Sequence, residues 1–153
     1  MSTPVPESRA SVRLAASYTE TSEVVMPDAT NNLGRALGGW VLHRMDVCGA
    51  IAARRFSRGQ VVTASIEGVD FHAPIDLGEI AVVTGYVYDI RRTSMQVRVD
   101  VHAERPSTDE RRELASSHLT FVAIDESGES RQVPMLECRT QREHDLMTRG
   151  LDG

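Results

Sequence analysis

A long, mostly apolar run follows a Gly-rich turn at Gly34 to Gly39 and carries one carboxylate, Asp46, near its middle. Its apolar and small residues recur at helical spacing. Gly39, Leu42, His43, Asp46, Gly49, Ala50 and Ala53 fall on one face. The helix is expected to begin near Leu37 to Gly39 and to end near Phe56 to Gly59, with Gly59 as its stop. Arg54, Arg55 and Arg58 sit where cations complement the helix dipole. About 18 residues span roughly 27 Å. The reading is a central buried helix, and an ionised carboxylate inside one is costly unless it is paired or needed for function.

What surrounds the helix is strand-like. Leu14 to Met26 is rich in Thr, Tyr and Val and reads as a strand broken by Pro27. Gln60 to Phe71, Glu79 to Ile90, Met95 to Ala103 and Leu114 to Ile124 follow. Met95, Val97, Val99 and Val101 alternate with Gln96, Arg98, Asp100 and His102, the period of a sheet with one buried face. Arg91 to Ser94 suits a hairpin. Four strands in succession without a crossover helix imply an antiparallel sheet. The fold class is α+β: a sheet curled around one helix, with one flank left for a second copy. Thr140 and Glu143 suggest a capping box on a short final helix. The expected organisation is a flexible stretch over residues 1–12, one domain over 13–130, and an extension with a short helix over 131–153.

Composition narrows the function. The chain has 153 residues and a net charge of -5, with basic residues scattered rather than clustered, which disfavours nucleic acid as a partner. All 17 basic residues are arginine, so no lysine chemistry is available. Two cysteines, Cys48 and Cys138, give no disulfide framework. Pro4, Pro6 and Glu7 stand where a signal peptide needs an apolar core, and Trp40 to Ala53 is too short and too charged to span a membrane, so the cytoplasm is the expected compartment. The five histidines show no metal-ligand spacing. No Gly-x-Ser-x-Gly elbow is present, which disfavours a serine esterase.

The order of elements, with MPDATNNLGRALGGWVLHRMDVCGAIAARR, VVTASIEGVDFHAPIDLGE and RRTSMQVRVDV, resembles the hotdog-fold acyl-CoA thioesterases. The resemblance runs from about Ser17 to Ala123. It implies a hotdog fold, a homodimer with one continuous sheet and often a trimer of dimers. It also implies hydrolysis of acyl-CoA to acid and CoA without metal or separate cofactor. The family's catalytic Asp falls on Asp46 and its site Asn on Asn31, contributed by different subunits. Two departures stand out. The acidic residue of the Pro-x-Asp-Thr-Asn pattern is shifted to Asp28, and the hairpin glycine is replaced by Arg91.

Thioester hydrolysis needs a base or nucleophile and donors for the developing oxyanion. Asp46 suits the first role, either activating water or attacking directly. Gly38 and Gly39 suit the second, through free N–H groups at the helix start. Asn31 can orient the water or bond the thioester oxygen, or simply make an Asx-turn. Arg91, Arg92, Thr93 and Ser94, with Arg55 and Arg58, are candidates for the phosphates and pantetheine of CoA. Acyl chain length is expected to depend on side chains around Met45, Ile51, Ile66 and Phe71. The alternatives are a non-catalytic acyl-CoA sensor and another hotdog enzyme, a hydratase or dehydratase. Retention of Asp46 and Asn31 weighs against the sensor, and the absence of an Asp/His or His/Glu arrangement at the helix weighs against the hydratase.

Overall fold

The computed structural model describes residues 9–153. Five strands form one antiparallel sheet in the order β2 (Thr19–Val24), β4 (Ile80–Ile90), β5 (Ser94–Glu104), β6 (Arg111–Ala123), β3 (Val61–Ile66). Helix α2 (Gly38–Ser57) lies across one face. This is the hotdog arrangement expected from the sequence.

The helix is held by volume matching. Met45, Cys48, Ala52 and Phe56 are fully buried against Met95, Val97, Val99, Leu119 and Phe121. Burying a side chain such as Phe56 or Met45 contributes about 1.5–3 kcal/mol. Small residues set the approach. A Cβ on Gly49 would lie 3.0 Å from the Phe121 ring, and one on Gly85 would lie 3.3 Å from the Cys48 sulfur.

The expected small-residue face of the helix is divided by the sheet. Gly49 and Ala53 are buried, Leu42, Asp46 and Ala50 are half-buried, and Gly39 and His43 are exposed. Asp46 is therefore at the rim of the core, not inside it.

The sheet also differs from a structure with one buried face. Arg98 and Asp100, on the polar side of β5, are buried and paired with each other at 3.1 Å. Helix α3 (Gln141–Asp152) covers them, and the Arg149 carbonyl accepts from Arg98. Period two along β5 reports which residues face α2. It says nothing of a second layer supplied from the far end of the chain.

The chain ends are joined to this layer. Ser11–Arg13 forms β1, which pairs in parallel with β7 (Met135–Glu137), so order begins before residue 13. The rest of the expected flexible stretch, residues 1–8, lies outside the described residues. The predicted capping box is present, and Glu143 does more than cap. It is buried, ion-pairs with Arg13 at 2.6 Å and accepts from the Ala15, Arg139 and Thr140 N–H groups.

Three boundaries differ from expectation. Leu14–Ser17 is a helical turn, α1, rather than part of the first strand, because Leu14 turns inward to pack with Tyr86 and Tyr88. Strand β3 stops at Ile66, and the chain then crosses to β4 without pairing to it, since β6 is its neighbour. Helix α2 ends on Arg58 in the left-handed conformation (φ 58°), not on Gly59. Gly59 is kept small by another contact: the Arg131 guanidinium occupies the space a Cβ would need, and it caps the helix by donating to the Ser57 carbonyl.

Candidate active site

Asp46 projects from the middle of α2 toward the edge strand β3. There the Thr63 hydroxyl donates to Asp46 Oδ1 at 2.7 Å. Thr63 is the site residue that sequence reasoning missed. Its signal was the Val-Val-Thr that opens β3, but only the pairing of β3 with β6 shows that this threonine reaches the helix. Beyond Val61, which is half-buried, every residue of β3 is exposed, and the strand's outer edge carries no partner among the described residues.

The helix start lies elsewhere. Leu37 is the N-cap and provides no side-chain bond, and the first N–H groups of α2, at Gly38 and Gly39, have no acceptor among the described residues. Both glycines are exposed. Gly39 precedes Asp46 by seven residues, about 10 Å along the helix axis. One substrate carbonyl cannot touch both within a single chain.

Asn31 makes the Asx-turn that was its simpler reading. Its Oδ1 accepts from the Leu33 and Arg35 N–H groups at 2.9 and 3.2 Å, which leaves only the Nδ2 amide to face outward. The side chain can donate to a ligand but has no free oxygen in this rotamer.

The cationic candidates gather at one end of the sheet. Strand register puts Ser94, Val122 and Val62 in one row and Met95, Phe121 and Thr63 in the next. The Arg91–Ser94 hairpin therefore sits roughly 10 Å, two strand spacings, from Thr63. Arg91 and Arg92 are exposed there, with Thr93 and Ser94 half-buried beside them. Arg54, Arg55 and Arg58 line an open depression of about 420 Å³ at the end of α2. Arg55 is partly engaged, donating to the Tyr18 carbonyl and the Thr19 hydroxyl.

Of the residues expected to set chain length, Met45 is fully buried core, Ile66 lies on the exposed edge strand, and Ile51 lines the arginine depression. Only Phe71 borders an apolar cavity. Cys48 is a core residue, its thiol pushed up to about 12 by burial.

The thioesterase superfamily pattern matches residues 33–109, which hold Asp46, both helix-start glycines, the hairpin and Thr63. The chain belongs to this superfamily. It is 34% identical to an uncharacterised acyl-CoA thioester hydrolase of Haemophilus influenzae, over 72% of this chain and 74% of that one. Among solved structures it is similar to an apo-hexameric acyl-CoA thioesterase, with a TM-score of 0.86, 38% identity and coverage of 94% and 92% of the two chains. It is also similar to an acyl-CoA hydrolase of Staphylococcus aureus in complex with butyryl-CoA and CoA, with a TM-score of 0.83, 29% identity and coverage of 93% and 88%. That hydrolase has been solved with an asparagine, an aspartate and a threonine each replaced by alanine. Those positions are separated by 15 and 17 residues, the separations of Asn31, Asp46 and Thr63 in this superfamily member.

Proposed function

We propose that this chain is an acyl-CoA thioesterase whose active site is completed by a second copy of itself. The protein hydrolyses an acyl-CoA thioester to a carboxylic acid and CoA, and it self-associates. The observation that carries the site is the Asp46–Thr63 pair on the open flank of α2. Thr63 holds the carboxylate in one rotamer and leaves its second oxygen free. The acceptor of a water proton, or the attacking oxygen itself, is that free Oδ2. The oxyanion is met by the Gly39 N–H of the partner subunit, because the same chain's Gly39 is too far along the helix. Asn31 of the partner subunit adds its Nδ2 donor, either to the thioester oxygen or to the water. As the tetrahedral intermediate collapses, the C–S bond breaks and CoA leaves as thiolate.

A dimer built by pairing the two β3 edges supplies this geometry and covers Val62 and Ile66, which are otherwise exposed. A trimer of dimers would resemble the hexameric relatives. Arg91, Arg92, Thr93 and Ser94 at the hairpin, and Arg58 with Arg55 at the end of α2, are offered to the phosphates and pantetheine amides of CoA. The substrate's own CoA is the only cofactor-like group the scheme requires.

The test is turnover of a panel of acyl-CoAs followed by thioester absorbance, beside Asp46→Asn. Loss of turnover by ~100-fold or more in the variant is expected. Undiminished turnover would make Asp46 structural, and tight binding without turnover in the wild type would favour an acyl-CoA sensor. Site sharing is checked by co-expressing Asp46→Asn with Asn31→Ala. Mixed dimers should regain activity that neither parent shows.

A further inference from the structure

The ion pair of Glu79 and Arg112 is used by none of the chemistry proposed for Asp46. Glu79 immediately precedes β4, and its side chain is 5% exposed. Arg112 lies in β6, two strands away, where strand register puts Ala81, Ala103 and Arg112 in one row. Its guanidinium spans β5 and donates to both Glu79 oxygens, at 2.7 and 2.8 Å. Arg105 Nε adds a weaker contact at 3.8 Å. The Arg112 bonds hold the Glu79 carboxyl below its ordinary value, so the pair is charged at neutral pH. A buried carboxylate is a costly way to join two elements, because apolar residues of similar volume often hold them as well.

What the pair holds is the connection over residues 74–78. Glu79 Oε1 also accepts from the Asp76 N–H at 2.8 Å, and Arg112 donates to the Pro74 carbonyl at 3.0 Å. The other edge of this connection is bonded to the loop that enters α2. Arg35 and Asp76 form an antiparallel bridge, flanked by bonds from the Ala36 N–H to the Ile75 carbonyl and from the Leu77 N–H to the Gly34 carbonyl, both at 2.8 Å. Arg35 in turn holds Asn31 by both of its backbone groups. Its N–H donates to Asn31 Oδ1 at 3.2 Å, and its carbonyl accepts from the Asn31 N–H at 2.8 Å. A bonded path therefore runs from Glu79 through Asp76 and Arg35 to Asn31. The Asn31 side chain is exposed and, among the described residues, is bonded only to the Leu33 and Arg35 N–H groups. The direction of its Nδ2 amide thus follows the loop.

We propose that Glu79 and Arg112 are positioning residues for the thioesterase site, fixing through the 74–78 connection and Arg35 the direction in which Asn31 presents its Nδ2 donor. The proposal rests on the reading of Asn31 as a donor to the reacting group. Neither Glu79 nor Arg112 touches substrate in this scheme. Loss of the pair should therefore leave CoA binding in place and slow the chemical step. A misplacement of about 1 Å at a reacting group can cost about 100-fold in rate.

The experiment compares the wild type with Glu79→Gln and Arg112→Lys, and with Glu143→Gln as a control that breaks a buried ion pair whose bonds go to the chain ends. Gln keeps the shape of Glu79 without its charge, and Lys keeps the charge of Arg112 without its paired donors. With butyryl-CoA both pair variants should lose ~10- to 100-fold in kcat with KM within ~2-fold of wild type. Glu143→Gln should lower Tm with kcat unchanged. Asn31 and Asn32 are the only asparagines of the chain, so isotope labelling of asparagine gives two side-chain amide signals by NMR. In the pair variants the Asn31 signal should move toward its position in denaturant, and in Glu143→Gln it should stay. Wild-type kcat in the folded pair variants, an equal loss of kcat in Glu143→Gln, or an unmoved Asn31 signal would overturn the proposal. Should one pair variant fail to fold, the other carries the test. If the wild type hydrolyses no acyl-CoA, the thioesterase reading fails separately, and the Asn31 signal alone decides whether the pair fixes that side chain.

Discussion

Thr63 Oγ1 donates to Asp46 Oδ1 across 2.7 Å, tying the free edge strand to the middle of the central helix. The bond orients one carboxylate oxygen and leaves the other available, and it does so at a half-buried position open to substrate. Replacing Thr63 by Val keeps the shape and removes the donor. Thr63→Val is expected to lower kcat by roughly 10-fold, less than Asp46→Asn, with Tm nearly unchanged because the site is exposed. Thr63→Ser should restore most of the rate. Steady-state kinetics with butyryl-CoA, beside a thermal melt of each variant, check the split.

Glu143 joins the two chain ends, and its carboxyl is held well below the usual carboxylate range, first by the Arg13 guanidinium and then by the backbone N–H groups of Ala15, Arg139 and Thr140. A depressed folded-state pKa contributes stability that is present above the unfolded value of 4.5 and is lost as pH falls through it toward the folded one. Glu143→Gln is expected to cost about 1–3 kcal/mol at pH 7. The gap in Tm between wild type and variant should narrow below about pH 4.5, where the Glu143 carboxylate of the unfolded chain takes up a proton that the folded protein does not. Glu79, also depressed by its bonds to Arg112, is common to both proteins and cancels in the difference. Melts at pH 7, 5 and 3 measure it.

Cys48 is fully buried against Val83 and Val99, with its thiol raised by the loss of water around it. The thiolate is the reactive form. The native protein should therefore show no labelling at Cys48 by a thiol-specific reagent over the time in which Cys138, half-buried, is modified. Both should label in denaturant. Mass spectrometry of the labelled peptides reads the result.

Gly150 lets α3 rest directly on Tyr88, whose side chain fills the space a Cβ would take. Gly150→Ala should lift the helix from the sheet. The expected loss is about 1–3 kcal/mol, the range for overpacking a close contact. It should appear as a lower Tm and faster exchange of amide hydrogens in α3, with the α2–β5 core unaffected. An unchanged or raised Tm would mean the helix shifts to make room.

Much of this molecule is legible in the sequence because periodicity is local. The helical recurrence through Gly39, Leu42, Asp46, Gly49 and Ala53 marks the helix, although Met45, Cys48, Ala52 and Phe56, outside that series, are fully buried, and period two from Met95 to Val101 marks the central strand. Thr140 and Glu143 mark a helix start by chemistry confined to four residues. The motif around Asn31, the helix-start glycines and Asp46 resembles that of the acyl-CoA thioesterases, and the resemblance implies thioester hydrolysis.

Other features depend on residues distant in sequence. Nothing near Thr63 says that it bonds Asp46, because β3 reaches the helix only through its pairing with β6. Nothing in the alternation of β5 says that Arg98 and Asp100 are buried, because their cover arrives from Arg149, some fifty residues on. The sequence alone determined the central helix, the long strands and the capped final helix, since propensity, capping and periodicity act over a few residues. The tertiary structure decided which groups meet, since burial and hydrogen bonding across the sheet act between residues that only folding brings together.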